Sequence, residues 1–134
     1  MLDHTLDEVL LAHLKVVPAL AALHGFTGQD NAEHKLPALT VSTSSEPLAG
    51  SDSAFRGEVG VTIESEAHDT TPAAHGERVE AVRAALANRA AVIAAINASG
   101  RLHIYGYAPL GTEPAAGDAR FATKLKYRFG FGPA

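Results

Sequence analysis

Residues 55–98 constrain the fold most, because a strand pattern there runs directly into a helix pattern. Apolar and polar residues alternate along residues 58–64, which predicts a strand with one buried face and one exposed face. The apolar positions of this alternation are Val59, Val61 and Ile63. Thr71 and Pro72 follow, a pair typical of a helix N-cap and the first helical position. The sequence therefore predicts a strand, a short polar link and then a helix.

A long amphipathic helix is predicted after Pro72. Apolar residues recur there at close to the 3.6-residue period of a helix, with alanines between them. These positions are Val79, Val82, Leu86, Ile93 and Ile96. Asn88 and Arg89 interrupt the pattern only weakly, and Ser99 with Gly100 is typical of a helix C-terminus. We therefore expect one helix that packs a single apolar stripe against a sheet.

Another helix is predicted early in the sequence. Thr5 and Glu8 form a capping-box pattern, so this helix is expected to begin near Leu6. Its apolar stripe consists of Leu6, Leu10, Leu14 and Val17. Pro18 should end or kink the helix, because its ring displaces a hydrogen-bonded N–H, and residues 19–23 are predicted as a short helical continuation.

Three more strands complete the predicted order, which is α-β-β-α-β-β. They are residues 38–43, 102–108 and 121–131, and the long loops are residues 25–37, 44–54 and 109–120. This order predicts an α+β fold in a single domain over residues 1–134, with an antiparallel or mixed four-stranded sheet. The helices are expected to pack on one face of the sheet and to leave the other face open. The loops after the first and third strands are expected to leave related ends of the sheet.

The composition excludes several classes of function. The 134 residues suit one domain with one core, and the absence of cysteine excludes disulfides and thiol redox chemistry. The net charge of −4 disfavours general nucleic-acid binding. No apolar run approaches the roughly 18 residues of a membrane helix, and the first residues lack the basic start of a signal peptide. No membrane partner is therefore expected.

Catalytic and metal-binding patterns are weak. The seven histidines show no recognisable ligand spacing, so neither a metal site nor a cofactor is expected. A hydrolase alternative would use Asp69 to orient His75, with Ser51 or Ser53 as the nucleophile. No Gly-x-Ser-x-Gly turn follows a strand, so this alternative is not favoured.

The strongest surface pattern is a basic row on the last strand. Lys124, Lys126 and Arg128 alternate with apolar residues and share one face of that strand. They could contact phosphates or an acidic partner, or they could prevent edge-to-edge aggregation of an exposed strand. We favour a third interpretation, a solvated face on which Glu58 and Glu64 pair with the row across strands. The same face is expected to carry Thr62, Tyr105 and Tyr107.

The element order, the acidic and threonine-rich segment 64–71, the helix after it and the long final strand together resemble a known family. They are similar to the tail terminator proteins of long-tailed bacteriophages, also called tail-tube capping or tail completion proteins. The helix residues that carry the resemblance are His75, Val79, Val82 and Leu86. The resemblance implies a structural virion protein of the tail and neck, made in the host cytoplasm, that forms a ring at the head-proximal end of the tail tube and stops tube growth.

The resemblance also implies the partners of such a ring. They are further copies of the chain, expected as a homohexamer, together with the tail tube protein and a head-side connector or stopper protein. DNA is implied only as cargo that passes through the lumen, and no cofactor or catalysis is implied. Alternatives are another phage neck or minor tail component, a generic, dimeric α+β protein-binding module that uses its open sheet, or the small hydrolase.

The candidate interface combines the two later loops with the basic row. It comprises Ser44, Ser45, Glu46, Pro47, Leu48, Ser51, Asp52, Ser53, Leu110, Thr112, Glu113, Lys124, Lys126 and Arg128. The loops are rich in Gly, Pro, Ser and Ala, and they offer few groups that could enter a core. We therefore expect them to serve assembly more than folding.

Overall fold

The computed structural model describes residues 2–28, 35–50, 53–114 and 120–134. Its elements in chain order are α1 (Leu2–Lys15), β1 (His24–Thr27), β2 (Ala38–Pro47), β3 (Phe55–Glu66), α2 (Pro72–Ala87), α3 (Arg89–Ala98), β4 (Leu102–Pro114) and β5 (Arg120–Pro133). None of the helices in these ranges is long and apolar enough to cross a membrane.

The sheet has five strands in the order β1-β2-β3-β5-β4, and the fold belongs to the α+β class, as predicted. The predicted count of four strands is wrong, because β1 forms within the segment expected to be a loop at residues 25–37. His24 to Thr27 pair in parallel with Ala38 to Val41, so β2 provides the backbone hydrogen bonds that this short polar segment could not make alone. The other three pairings are antiparallel, which makes the sheet mixed.

The helices pack on one face of the sheet. Asp7 of α1 accepts a hydrogen bond from Thr43 of β2, and His75 of α2 contacts Thr123 of β5. The register places both threonines on the side that also carries Val61. Every predicted stripe contributes to the core on this side. The fully or nearly buried members are Leu6, Leu10, Leu14, Val59, Val61, Ile63, Val79, Val82, Leu86, Ile96, Leu125, Tyr127, Phe129 and Phe131.

Helix α2 begins as its sequence predicts, but the expected single helix is two. Thr71 has extended backbone angles, and its hydroxyl accepts a hydrogen bond from the Ala74 N–H at 3.1 Å. Asn88 leaves the helical region at φ −80° and ψ 81°, and its side chain accepts from the Ala91 N–H at 3.3 Å. Because asparagine competes in this way for the backbone, it ends α2 and caps α3. Gly100, at φ +68°, follows the end of α3.

Helix α1 begins at Leu2, four residues before the predicted start. The capping box is therefore wrong, and Glu8 instead pairs with His4 at 2.6 Å and with Arg101 at 3.1 Å. Asp3 lies in the first turn, where a carboxylate favours a helix, and it accepts a hydrogen bond from Ser45. The expected helical continuation at residues 19–23 is also wrong. Around Pro18 the chain makes turns with hydrogen bonds between residues three apart, and α1 has already ended at Lys15.

Two of the predicted loops are partly strand. Residues 44–47 belong to β2 and residues 109–114 to β4, because β3 and β5 pair with them along their whole length despite their polar composition. The connections also leave opposite ends of the sheet, not related ends. β2 ends where Pro47 pairs with Phe55, whereas β4 ends where Pro114 pairs with Thr123. The reason is that β4 runs parallel to β3 and therefore antiparallel to β2.

Asp7 is buried where α1 packs against β2. Only 2% of its surface is exposed, and the Thr43 hydroxyl donates to Oδ1 at 2.5 Å. Burial raises the pKa of the Asp7 carboxyl from its ordinary value of 3.8 to about 6, although hydrogen bonds from the Thr43 hydroxyl and N–H oppose the rise. Above about pH 6 the buried, ionised carboxylate therefore lowers the stability of the folded state.

The first prediction concerns the phase of α2. Leu86→Ala should lower the free energy of unfolding by about 2 to 5 kcal/mol, because Leu86 is 2% exposed and its loss leaves a cavity. Glu80→Ala should cost under about 1 kcal/mol, because Glu80 forms only an exposed ion pair with Arg83. Urea denaturation measures both values. Equal losses in the two variants would contradict this placement of the helix.

The second prediction concerns Asp7. Since its folded pKa is raised, its contribution to stability is full below pH 3.8 and is lost as the pH rises through 6. The loss amounts to roughly 3 kcal/mol for a shift of about two units. Asp7→Asn should remove this pH dependence, and Thr43→Val should move it to higher pH, because the hydroxyl that favours ionisation is gone. Urea midpoints measured between about pH 4 and pH 8 test both; an unchanged slope in Asp7→Asn contradicts the assignment.

Candidate functional site

The side of the sheet opposite the helices carries a lattice of charged and small side chains, here called the open face. Its rows follow from the strand register. One row runs Glu46, Arg56, Gly130; the next runs Ser44, Glu58, Arg128, Ala108; two more run Ser42, Gly60, Lys126, Gly111 and Thr40, Thr62, Lys124, Glu113. Large apolar side chains are nearly absent from these rows, so the face is built for water or for a polar partner.

The basic row lies between acidic residues, as the favoured interpretation expected. Lys126 Nζ lies 3.3 Å from Glu113 and 4.0 Å from Glu58. Lys124 lies flat across Gly60, where a Cβ would overlap its Cε atom. Among the described residues, no carboxylate lies within 4.0 Å of Lys124 or Arg128. Two cations of the row thus have no ion pair with the residues that the structure describes.

A polar cleft lies at the end of the open face nearest the β2–β3 connection. Arg56 pairs there with Glu46 at 3.6 Å, on side chains that are both more than half exposed. Arg128 reaches the same cleft from β5. The lining residues are Ser44, Ser45, Glu46, Arg56, Gly57, Glu58 and Arg128. Arg56 was not among the predicted interface residues, although its alternation with Glu58 along β3 could have identified it.

The structure divides the candidate interface residues between strands and connections. Four of them, Ser44, Ser45, Glu46 and Pro47, lie in β2, and Ser45 bonds Asp3 on the helix side. Leu48 begins the connection, which is closed by a hydrogen bond from the Leu48 N–H to the Ala54 carbonyl at 2.9 Å. Ser51 and Asp52 lie outside the described residues. The Tyr105 hydroxyl donates to the Ser53 carbonyl at 3.4 Å, so this connection folds back over the open face.

Three more candidate interface residues lie in the outer half of β4. Leu110, Thr112 and Glu113 belong to a run of seven consecutive exposed residues from Ala108 to Pro114. Leu110 stands at an irregularity in the register between Pro109 and Gly111, and 40% of its surface is exposed. Arg83 of α2 reaches Thr112 at 3.1 Å and is the one helix side chain hydrogen-bonded to this run in the described residues. This segment is therefore an edge ribbon that the helices hardly cover.

Tyr107 was expected to share the open face with Tyr105, but it does not. Its ring stacks on Phe129 at 4.8 Å, and its hydroxyl donates to the Leu86 carbonyl at 2.7 Å. The register irregularity between Ile104 and Gly106 separates the two tyrosines, because a bulge changes the face on which the following residues lie. Tyr107 therefore belongs to the core.

The hydrolase residues that the structure describes do not come together. Asp69 lies 3.4 Å from His68, whereas His75 Nε2 contacts Thr123 at 2.9 Å and its ring packs 5.7 Å from Phe121. Ser53 precedes Phe55, at the far end of the sheet from Thr123. The strand between these ends rises about 26 Å, at roughly 3.3 Å per residue. In the described residues no group of three or more His, Cys, Asp or Glu side chains could hold a metal ion.

Comparisons with known proteins give no family. No protein-family model matches the sequence. No curated protein matches it either. The match to one solved structure covers 96% of this chain and 89% of the other chain, with a TM-score of 0.49 and 14% sequence identity. A likeness at this level carries no argument about function.

The third prediction concerns His75. Burial lowers the pKa of its imidazole below the ordinary value of 6.5, and the positive charge of Arg78 adds to this effect. The neutral ring is the form that the fold favours, so its contribution to stability is full above pH 6.5 and is lost as the pH falls. His75→Gln should remove this loss. Urea denaturation of both proteins on either side of pH 6.5 tests it, and equal pH slopes would contradict it.

Proposed function

We propose that this protein is a non-catalytic structural subunit of a phage tail, of the tail terminator type. The subunit would form a ring, sixfold by the resemblance, at the head-proximal end of the tail tube. The ring would end tube growth and join the tail to the head-side connector or stopper, with DNA passing through its lumen. Another neck or minor tail component remains the alternative within the same class.

The edge ribbon from Ala108 to Pro114 is the observation that carries the proposal. Seven consecutive residues of a strand are exposed, and Leu110 is among them. An exposed edge strand presents a row of backbone N–H and C=O groups with which another chain can pair. A neighbouring subunit would cover this one, and a contact between two different surfaces of the same chain generates a ring when its rotation closes.

The two hairpin connections support the proposal through their positions. They leave opposite ends of the sheet, since Pro47 pairs with Phe55 at one end and Pro114 with Thr123 at the other. A ring between a tube and a connector must present two different ends to two different partners. One small domain supplies both ends here.

The fourth prediction tests the ribbon with a matched pair of variants. Leu110→Arg should abolish rings seen by negative-stain electron microscopy and lengthen tails, while changing the free energy of unfolding by no more than about 0.5 kcal/mol, because the site is exposed. Val16→Arg is the control, because Val16 is 76% exposed but lies after α1, far along the chain from the ribbon. It should leave both rings and tail length unchanged.

Two results would count against the proposal. A wild-type protein that forms no ring, either alone or on tail tubes, would exclude the tail terminator role. Rings and tails of normal length in Leu110→Arg would leave a ring possible but would remove the ribbon as its contact.

A further inference from the structure

We propose that two copies of this chain pair through their open faces, about a twofold axis that runs parallel to the strands between β3 and β5. In this arrangement Glu58 of each copy faces Arg128 of the other. The pairing goes beyond the ring, because its charged pair lies on β3 and β5, whereas the proposed ring contact is centred on Leu110 of β4.

The charge pattern selects this axis. On the open face, β3 carries the acidic column with Glu58 and Glu64, and the adjacent β5 carries the basic row. A twofold axis along the strands places β3 of one copy over β5 of the other. Each row of one copy then faces the same row of the other copy. A twofold axis across the strands would keep β3 over β3 and β5 over β5, so the basic row would not face the strand that carries Glu58 and Glu64. The axis along the strands places the basic row opposite that strand, and complementary charges fix the orientation of an interface.

In the single subunit, Arg128 and Glu58 could each form a further ion pair. Within the described ranges, Arg128 has no carboxylate within 4.0 Å, although Glu58 lies opposite it in the register. Glu58 has only Lys126 at 4.0 Å, and about half of its side chain is exposed. A second copy would give each of these groups a partner across the interface. Two such pairs follow from the symmetry.

The central rows of the open face permit close approach. Under the proposed axis Arg56 of one copy faces Gly130 of the other, and Ser44 faces Ala108, so an arginine meets a glycine and two small side chains meet each other. Lys124 lies across Gly60. Two such sheets can pack at about 10 Å with nearly aligned strands.

The available area is just enough for a specific contact. Four strands at about 4.8 Å and ten residues at about 3.3 Å give a face of roughly 600 Å² per copy, or about 1,200 Å² in total. Specific interfaces bury a total of at least about 1,200 Å² of surface. Since the contacts are charged and must be desolvated, we expect a weak dimer whose population depends on protein concentration.

Charge reversal tests the proposed axis. In sedimentation velocity over a range of protein concentrations, Arg128→Glu and Glu58→Arg should each weaken dimerisation by at least about tenfold, because like charges then face each other twice. The double variant Glu58→Arg with Arg128→Glu should restore the wild-type dissociation constant, because both pairs are reversed together. Single variants that dimerise normally, or a double variant that stays monomeric, would overturn the proposal.

A shape variant tests the same face without changing any charge. A Cβ at Gly130 would have no neighbour closer than 3.8 Å within its own chain, so Gly130→Val should fold and yet block approach of the second copy's Arg56. Gly76→Val is the matched control, because Gly76 lies on α2 with nothing within 4 Å of its Cβ position. Gly130→Val should be monomeric and Gly76→Val dimeric. A dimeric Gly130→Val would overturn the proposal.

The outcomes separate this inference from the tail terminator role. Rings in the wild type without open-face dimers would overturn the pairing and leave the tail role standing. Dimers that respond to the variants as described, with no rings on tubes or in solution, would support the pairing and exclude the tail role. A wild type that is monomeric at every concentration would overturn the pairing.

Discussion

The antiparallel pairing of β3 with β5 is the interaction on which the rest of the structure depends. It extends along the whole of β3 and holds the two central strands of the sheet in one register. Val61 lies opposite Leu125 on the helix side, and Glu58 lies opposite Arg128 on the open face. Because side chains alternate, a slip of one residue would send the core residues to water and the charges to the helices. One register therefore fixes both the core and the surface proposed for association.

Much of this fold could be predicted from local patterns, and the missed strand segments have a common cause. The alternation at residues 58–64 and the Thr71 cap are signals that a short segment carries by itself. β1 and the outer half of β4 carry no such signal, because most of their residues are polar, glycine or proline. They are strands because a neighbouring strand supplies their hydrogen bonds. Propensity describes a segment alone, whereas pairing depends on what lies beside it.

The candidate site divides in the same way. Alternation along β5 was enough to place the basic row on one face, and β3 supplied its acidic neighbours. The sequence could not show that Lys126 has two ion pairs while Arg128 has none among the described residues, because this depends on the positions of Glu58 and Glu113 on two other strands. It also could not separate His75 from Ser53, since that distance is set by which end of the sheet each reaches.

A sheet face made of charges and glycines has a physical consequence for assembly. An apolar face of this size would associate strongly and in many orientations, whereas charged side chains must be desolvated before they gain from contact. Each contact through such a face is therefore weak, but wrong orientations are disfavoured because like charges would meet. A subunit of this kind can remain separate when dilute and still assemble in one geometry when several contacts form together, since linked contacts raise the effective concentration of the next. Strength then comes from the number of contacts and specificity from the register of β3 and β5.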